Sequence, residues 1–126
     1  MSHIDAGEGG GRPIISMFRA SRRPNPIEIH LLERHPLGSQ AFIPLSRHDW
    51  LVVVAHCNEF GDAPDFSTLV CFQASGGQGV SYDRGTWHHP LLILQEVQDF
   101  LVIDRQGEGH NLDEVWHDGP AALINP

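Results

Sequence analysis

Apolar and polar residues alternate along Ile27-Glu28-Ile29-His30-Leu31, the period of a strand that buries one face. Trp50-Leu51-Val52-Val53-Val54-Ala55 is a continuous, largely β-branched run between polar turns, and predicts the clearest strand of the chain. Further strands are predicted over 14–20, 41–45 and 80–82, and a hairpin-like pair over 91–94 and 97–104 around Gln95-Glu96. Thr68 to Gln73 suits either a strand or a helical turn. Punctuation separates these runs: Pro24 and Pro26, Pro36 and Gly38, Gly61 and Pro64, then Ser75-Gly76-Gly77-Gln78-Gly79. No window of helix length carries a 3.6-residue apolar period. Short strands with frequent turns predict an all-β barrel or sandwich, with short helices at most.

The 126 residues suffice for one hydrophobic core and not for two ordinary domains. Residues 1–13, polar and rich in glycine, read as a flexible leader, and 14–126 as a single domain whose tail from Gly107 has only Leu112 and Val115 as anchors. A net charge of −8 argues against a nucleic-acid or anionic-membrane surface. All eight basic residues are arginine. Schiff-base and lysine-nucleophile chemistry is thereby excluded, and anion recognition falls to guanidinium forks, backbone N–H groups or a metal. Cys57 and Cys71 have no CxxC partner, which disfavours a zinc ribbon and leaves a disulfide open. No apolar run has the length of a signal peptide or a transmembrane helix, so a cytoplasmic location is expected.

Two polar clusters carry the candidate chemistry. Glu33-Arg34-His35-Pro36-Leu37-Gly38-Ser39-Gln40 precedes one predicted strand, and Arg84-Gly85-Thr86-Trp87-His88-His89-Pro90 follows a glycine-rich turn. Residues i and i+2 of a strand face the same way, so both segments can aim side chains into one lumen. Glu33-x-His35-x(4)-Gln40 matches the first half of the cupin metal motif with two substitutions. Gly77-x(5)-Asp83-x-Gly85-x(2)-His88 matches the second half with aspartate in place of proline. Two such matches in the right order predict a cupin-like β-barrel of the double-stranded β-helix type.

Longer blocks go further. Leu32 to Pro44, Asp65 to Leu69, Gln78 to Tyr82, Gly85 to Leu91 and Asp99 to Arg105 run in collinear order and closely resemble segments of the ureidoglycolate lyase family. The resemblance implies a cytoplasmic, homodimeric, cupin-like enzyme of allantoin and purine catabolism that splits ureidoglycolate into glyoxylate and urea. It also implies a front portion, preceding the segment that matches Ile14, which this chain replaces with its glycine-rich leader.

Ureidoglycolate is a carbinolamide, with a hydroxyl, a carboxylate and a urea nitrogen on one carbon. Its cleavage needs a base for the hydroxyl proton, an acid for the leaving nitrogen and a site for the carboxylate. The cupin spacing puts Glu33, His35, Gln40 and His88 at the metal or substrate-oxygen positions. Of these His88, Glu33 and His35 are the catalytic candidates, and Arg84, Gln40 and His89 the substrate-binding ones. The same four residues can hold a divalent metal, for which the resemblance suggests nickel, or bind substrate with no metal at all. Arg84 is the expected carboxylate fork, and Arg105 the second choice.

Structural roles compete with these assignments. His35 can cap the turn before Pro36, Glu33 can pair with Arg34 or Arg105, and Asp104 with Arg105 can form a strand-end ion pair. His88 and His89 alternate faces, so one points inward and the other is expected to be exposed or at an interface. Trp87 is expected in the wall or, with Trp50, at the dimer contact. Two other functions stay open: a non-catalytic cupin-like module that binds a small carboxylate, and a metal-dependent cupin isomerase or oxygenase, which would favour a fuller histidine set.

Overall fold

The computed structural model describes residues 1–126 and is all-β. Twelve strands follow in chain order: β1 (Arg12–Ser21), β2 (Ile27–Ile29), β3 (Leu31–Arg34), β4 (Gln40–Pro44), β5 (Trp50–Ala55), β6 (Val70–Ala74), β7 (Val80–Tyr82), β8 (Trp87–His88), β9 (Leu92–Ile93), β10 (Val97–Gln106), β11 (Asp113–Trp116) and β12 (Ala122–Ile124). A single 3-10 turn, Phe66–Thr68, precedes β6. Asp65 caps this turn by accepting the Ser67 N–H. The all-β, cupin-like expectation therefore holds, as does the limit to short helices.

The strands form two facing sheets. One has the order β1-β10-β4-β7, the other β11-β3-β8-β5-β6 with β9 beside β5, and a small β12-β2 ribbon lies apart. The hydrogen-bonded ladders leave the two large sheets as separate sheets, a flattened barrel rather than one continuous ring. Between them lies the lumen. Alternation along β5 sends Trp50 and Val52 inward and Leu51 and Val53 outward, which explains why the whole run is apolar: both of its faces are buried. The inner cluster joins Trp50, Val52, Phe42, Tyr82, Phe100 and Val102. The outer one joins Leu51, Val53, Leu32 and Trp87 to Ile27 and Ile29 of β2, so the ribbon roofs the second sheet. Phe100 fixes the inner core, packed edge-to-face on Trp50 at 5.0 Å and on Phe42 at 6.5 Å between centroids.

Three expectations are corrected. The segments 91–94 and 97–104 do not pair with each other: β9 pairs with β5, and β10 pairs with β1 and β4. The polar tail is not loosely anchored, since β11 pairs with β3 and β12 with β2. Backbone ladder bonds hold it, with Val115, Ala122 and Ile124 packed on the outer core, while Leu112, the other expected anchor, is exposed. The glycine-rich start makes specific contacts with the domain. Asp5 exchanges hydrogen bonds with Ser39 through both backbone groups (Asp5 N–H to Ser39 Oγ, 2.8 Å; Ser39 N–H to Asp5 O, 2.8 Å), and β1 begins at Arg12. Trp50 and Trp87 are fully buried, which removes both from any surface contact. The two cysteines are free.

The core geometry sets a stability test. Phe100→Ala should cost about 3–5 kcal/mol, the range for deleting a buried aromatic. Phe72→Ala, at a side chain 56% exposed on β6, should stay within about 0.5 kcal/mol. Urea unfolding midpoints at constant slope measure both. Equal midpoints for the two variants would contradict the placement of Phe100 at the centre of the lumen.

Candidate active site

The two polar clusters meet at one ladder position. Glu33 of β3 stands directly opposite His88 of β8, and Val54 of β5 flanks His88 on its other side. A tight turn brings the strands together. Gly85 adopts φ +78°, a left-handed conformation that glycine takes without strain, and its N–H donates to the His35 carbonyl at 3.0 Å. Behind the site, Arg34 donates to Asp113 of β11 at 2.8 Å and lies 4.6 Å over the Trp87 ring. That arrangement clamps β3 and β8 from the side away from the lumen.

Glu33, His35 and His88 each present a ligand-type atom, all within 4.8 Å of one another. Glu33 Oε1 is 3.6 Å from His88 Nε2 and 3.9 Å from His35 Nε2. Each imidazole engages a backbone carbonyl through Nδ1: His35 with Asn111 O and His88 with Thr86 O, both at 2.9 Å. A carbonyl can only accept, so Nδ1 carries the proton in each ring and the neutral ring's Nε2 is a bare lone pair. Both Nε2 atoms are buried without a hydrogen-bond partner. Two lone pairs and a carboxylate thus converge with no donor among them, a set that calls for a proton donor or a cation. Burial pushes the Glu33 carboxyl upward, but the neighbouring imidazoles, His88 foremost, outweigh it and hold the group below its usual range.

The other expected residues distribute differently. Gln40, on β4, donates its amide to Asp104 Oδ2 at 3.3 Å, while its Oε1 is buried and unpartnered. His89 is buried, not exposed or interfacial as alternation had suggested. Its Nδ1 engages Pro90 O at 2.8 Å, and burial lowers its pKa to about 4, so the ring is neutral near pH 7. Arg84 does not hold a free fork. Its Nε and Nη2 donate to the two carboxylate oxygens of Asp5 at 3.0 and 2.8 Å. Glu33 pairs with neither Arg34 nor Arg105, and Asp104 does not pair with Arg105. The buried Arg105 instead donates to the backbone carbonyls of Ala6 and Glu108.

Three residues of the site escaped the motif-based reading. Tyr82 stacks on His88 with ring centroids 4.1 Å apart and planes 13° from parallel, and its burial pushes the phenol pKa up. Asp104 faces the lumen beside Gln40. Asp5 occupies Arg84. Strand alternation carried a signal for the first two: Val80 and Tyr82 share a face, as do Phe100, Val102 and Asp104. Nothing in the composition of the first residues marked Asp5.

The ureidoglycolate lyase family model matches residues 1–124. Among curated relatives, a ureidoglycolate lyase of Burkholderia mallei is 49% identical over 90% of this chain and 65% of its own length. Those of Pseudomonas syringae pv. tomato and Pseudomonas putida are 45% and 46% identical over 98% and 100% of the chain, and 71% and 74% of their own lengths. The chain thus spans just under two thirds of the Burkholderia mallei relative. With the family pattern matched almost end to end and the paired site assembled from its blocks, this chain belongs to the ureidoglycolate lyase family.

Proposed function

We propose that the chain cleaves ureidoglycolate to glyoxylate and urea, the reaction its relatives are named for. The supporting observation is the convergence of Glu33, His35 and His88 on one donor-poor point. His88 Nε2 takes the substrate's hydroxyl proton. As that oxygen becomes the aldehyde carbonyl of glyoxylate, the carbon–nitrogen bond breaks with its electron pair passing to nitrogen. The proton taken up by His88 passes by way of His35 Nε2 to that nitrogen, and urea leaves with both rings neutral again. Glu33, within 4 Å of both rings, stabilises whichever imidazole carries charge, and Tyr82 fixes the plane of His88. His89 is unsuited to this exchange because it stays neutral down to about pH 4.

The same three side chains fit a borderline divalent ion such as nickel, through two imidazole nitrogens and a carboxylate oxygen. A bound ion would supply Lewis-acid polarisation of substrate oxygen. The residues' own contributions would remain the positioning and proton handling described above. Calorimetric titration should show nickel binding by the wild type and its loss in Glu33→Gln. Heat of binding equal in the two proteins would remove Glu33 from the ligand set.

Arg84 is the candidate for the substrate carboxylate, with Asp5 as the internal carboxylate it exchanges. Two further properties implied by the family belong to the same reading: a homodimer and a cytoplasmic setting. No helix is long and apolar enough to cross a membrane. With Trp50 and Trp87 buried, a dimer contact would draw on the exposed Ile15, Met17 and Phe18 of the edge strand β1. Sedimentation equilibrium at micromolar concentration should give twice the chain mass, and Met17→Glu should shift it toward the monomer. A monomeric wild type would refute the dimer.

Enzyme assays test the chemistry. His88→Ala should reduce urea release about 10²–10⁴-fold, and His89→Ala far less, provided both give wild-type far-ultraviolet circular dichroism. Indistinguishable turnover for His88→Ala and wild type would reject the assignment. Arg84→Ala should raise KM more than it lowers kcat, since a carboxylate clamp acts in both ground and transition states. Asp5→Ala should lower KM by freeing the fork. If both substitutions raise KM alike, the pair merely fastens the start of the chain.

A further inference from the structure

One pair of side chains in the lumen is unaccounted for by proton transfer. Along β10, Gln98, Phe100 and Val102 are buried at every second position, and the same alternation turns Asp104 toward the lumen. β4 lies beside it in antiparallel register, with Phe42 opposite Val102 and Ala41 opposite Ile103. That register puts Gln40 next to Asp104, and the Gln40 amide donates to Asp104 Oδ2 at 3.3 Å. The orientation of this amide is chemically determined, because turning it over would set its oxygen against a carboxylate oxygen. Two acceptors are then left, Asp104 Oδ1 and Gln40 Oε1, both buried and both without a partner. An unmade hydrogen bond on a buried acceptor is costly, and two side by side make a site for N–H donors.

Their place relative to the reacting groups follows from the ladder. Gln40 stands opposite Tyr82 across β4 and β7, and Tyr82 stacks on His88. The lumen therefore runs from imidazole through phenol to amide and carboxylate. Its imidazole end suits the hydroxyl-bearing carbon. Its far end holds acceptors only, the complement of a group rich in N–H and the opposite of what a second carboxylate would need. Resting on the lyase reading above, we infer that Asp104, oriented by Gln40, determines specificity by accepting hydrogen bonds from the ureido N–H groups of the substrate and of the departing urea. The site would take ureido compounds and discriminate against those with oxygen in place of the terminal nitrogen.

The test separates recognition from turnover. N-carbamoylglycine carries the carboxylate and the ureido group but lacks the hydroxyl, so it binds without being cleaved. Glyoxylate carries the carboxylate alone. Dissociation constants for both are measured by calorimetry with the wild type, Asp104→Asn and Gln40→Met, alongside urea release from ureidoglycolate. Asp104→Asn should weaken N-carbamoylglycine about 10- to 100-fold and leave glyoxylate within about twofold. Gln40→Met should show the same selectivity to a smaller degree, and carries the test if Asp104→Asn does not fold. Equal weakening of both ligands, or of neither, overturns the role of Asp104 even in an active lyase. If the wild type releases no urea yet binds N-carbamoylglycine through Asp104, the catalytic reading falls and the ureido site stands.

Discussion

The site depends on one ladder pair, Glu33 opposite His88. β3 and β8 share only that residue pair, and β8 is itself two residues long. So short a strand has little cohesion of its own. It holds because its neighbours supply what it lacks: Val54 and Ala55 of β5 on its other edge, the buried Trp87 beneath, and the Arg34–Asp113 pair bracing the far side of β3. Side chains 55 residues apart in sequence are thus fixed within hydrogen-bonding reach of a common ligand by backbone pairing and one aromatic anchor.

The lumen is unequal along its length. At one end Trp50, Phe42 and Phe100 interlock, the Trp50 indole N–H donating to Gln78 O at 3.0 Å, and Gln98 Oε1 is a buried acceptor without a partner. At the other, four buried polar atoms of His35, His88, Gln40 and Asp104 have no partner in the chain. Each such atom typically costs about 1–3 kcal/mol. A fold sustains that only if the apolar end more than offsets it, so the tight aromatic packing and the unsatisfied polar end are parts of one design.

Legibility in the sequence followed the same division. β5 was readable to the residue because both of its faces are buried, so its composition is uniform. Glu33, His35 and His88 were readable because strand periodicity and a glycine turn constrain their spacing. β11 and β12 were not. Asp113-Glu114-Val115-Trp116 is half exposed, and its strand character comes from the pairing partner, β3, rather than from its own pattern. The fate of Arg84 was equally hidden, because an arginine reads the same whether its fork is empty or filled by Asp5. Asp104 lay inside a recognisable block but was assigned an ion pair with its neighbour. The alternation that carries Phe100 and Val102 inward argues against that pairing, since residues 104 and 105 must face opposite ways.

Tyr82 is the chain's single tyrosine, and it lies flat against the His88 imidazole. The molecule therefore carries a built-in spectroscopic probe at its centre. The ring current of a phenol stacked 4.1 Å away displaces the His88 ring protons upfield, which should set their resonances apart from those of the other histidines without any label. The lone tyrosine's ultraviolet absorbance should in turn shift when charge appears on the imidazole beneath it. Any molecule entering the lumen can be followed from the inside, by the residue whose sequence context gave it no role.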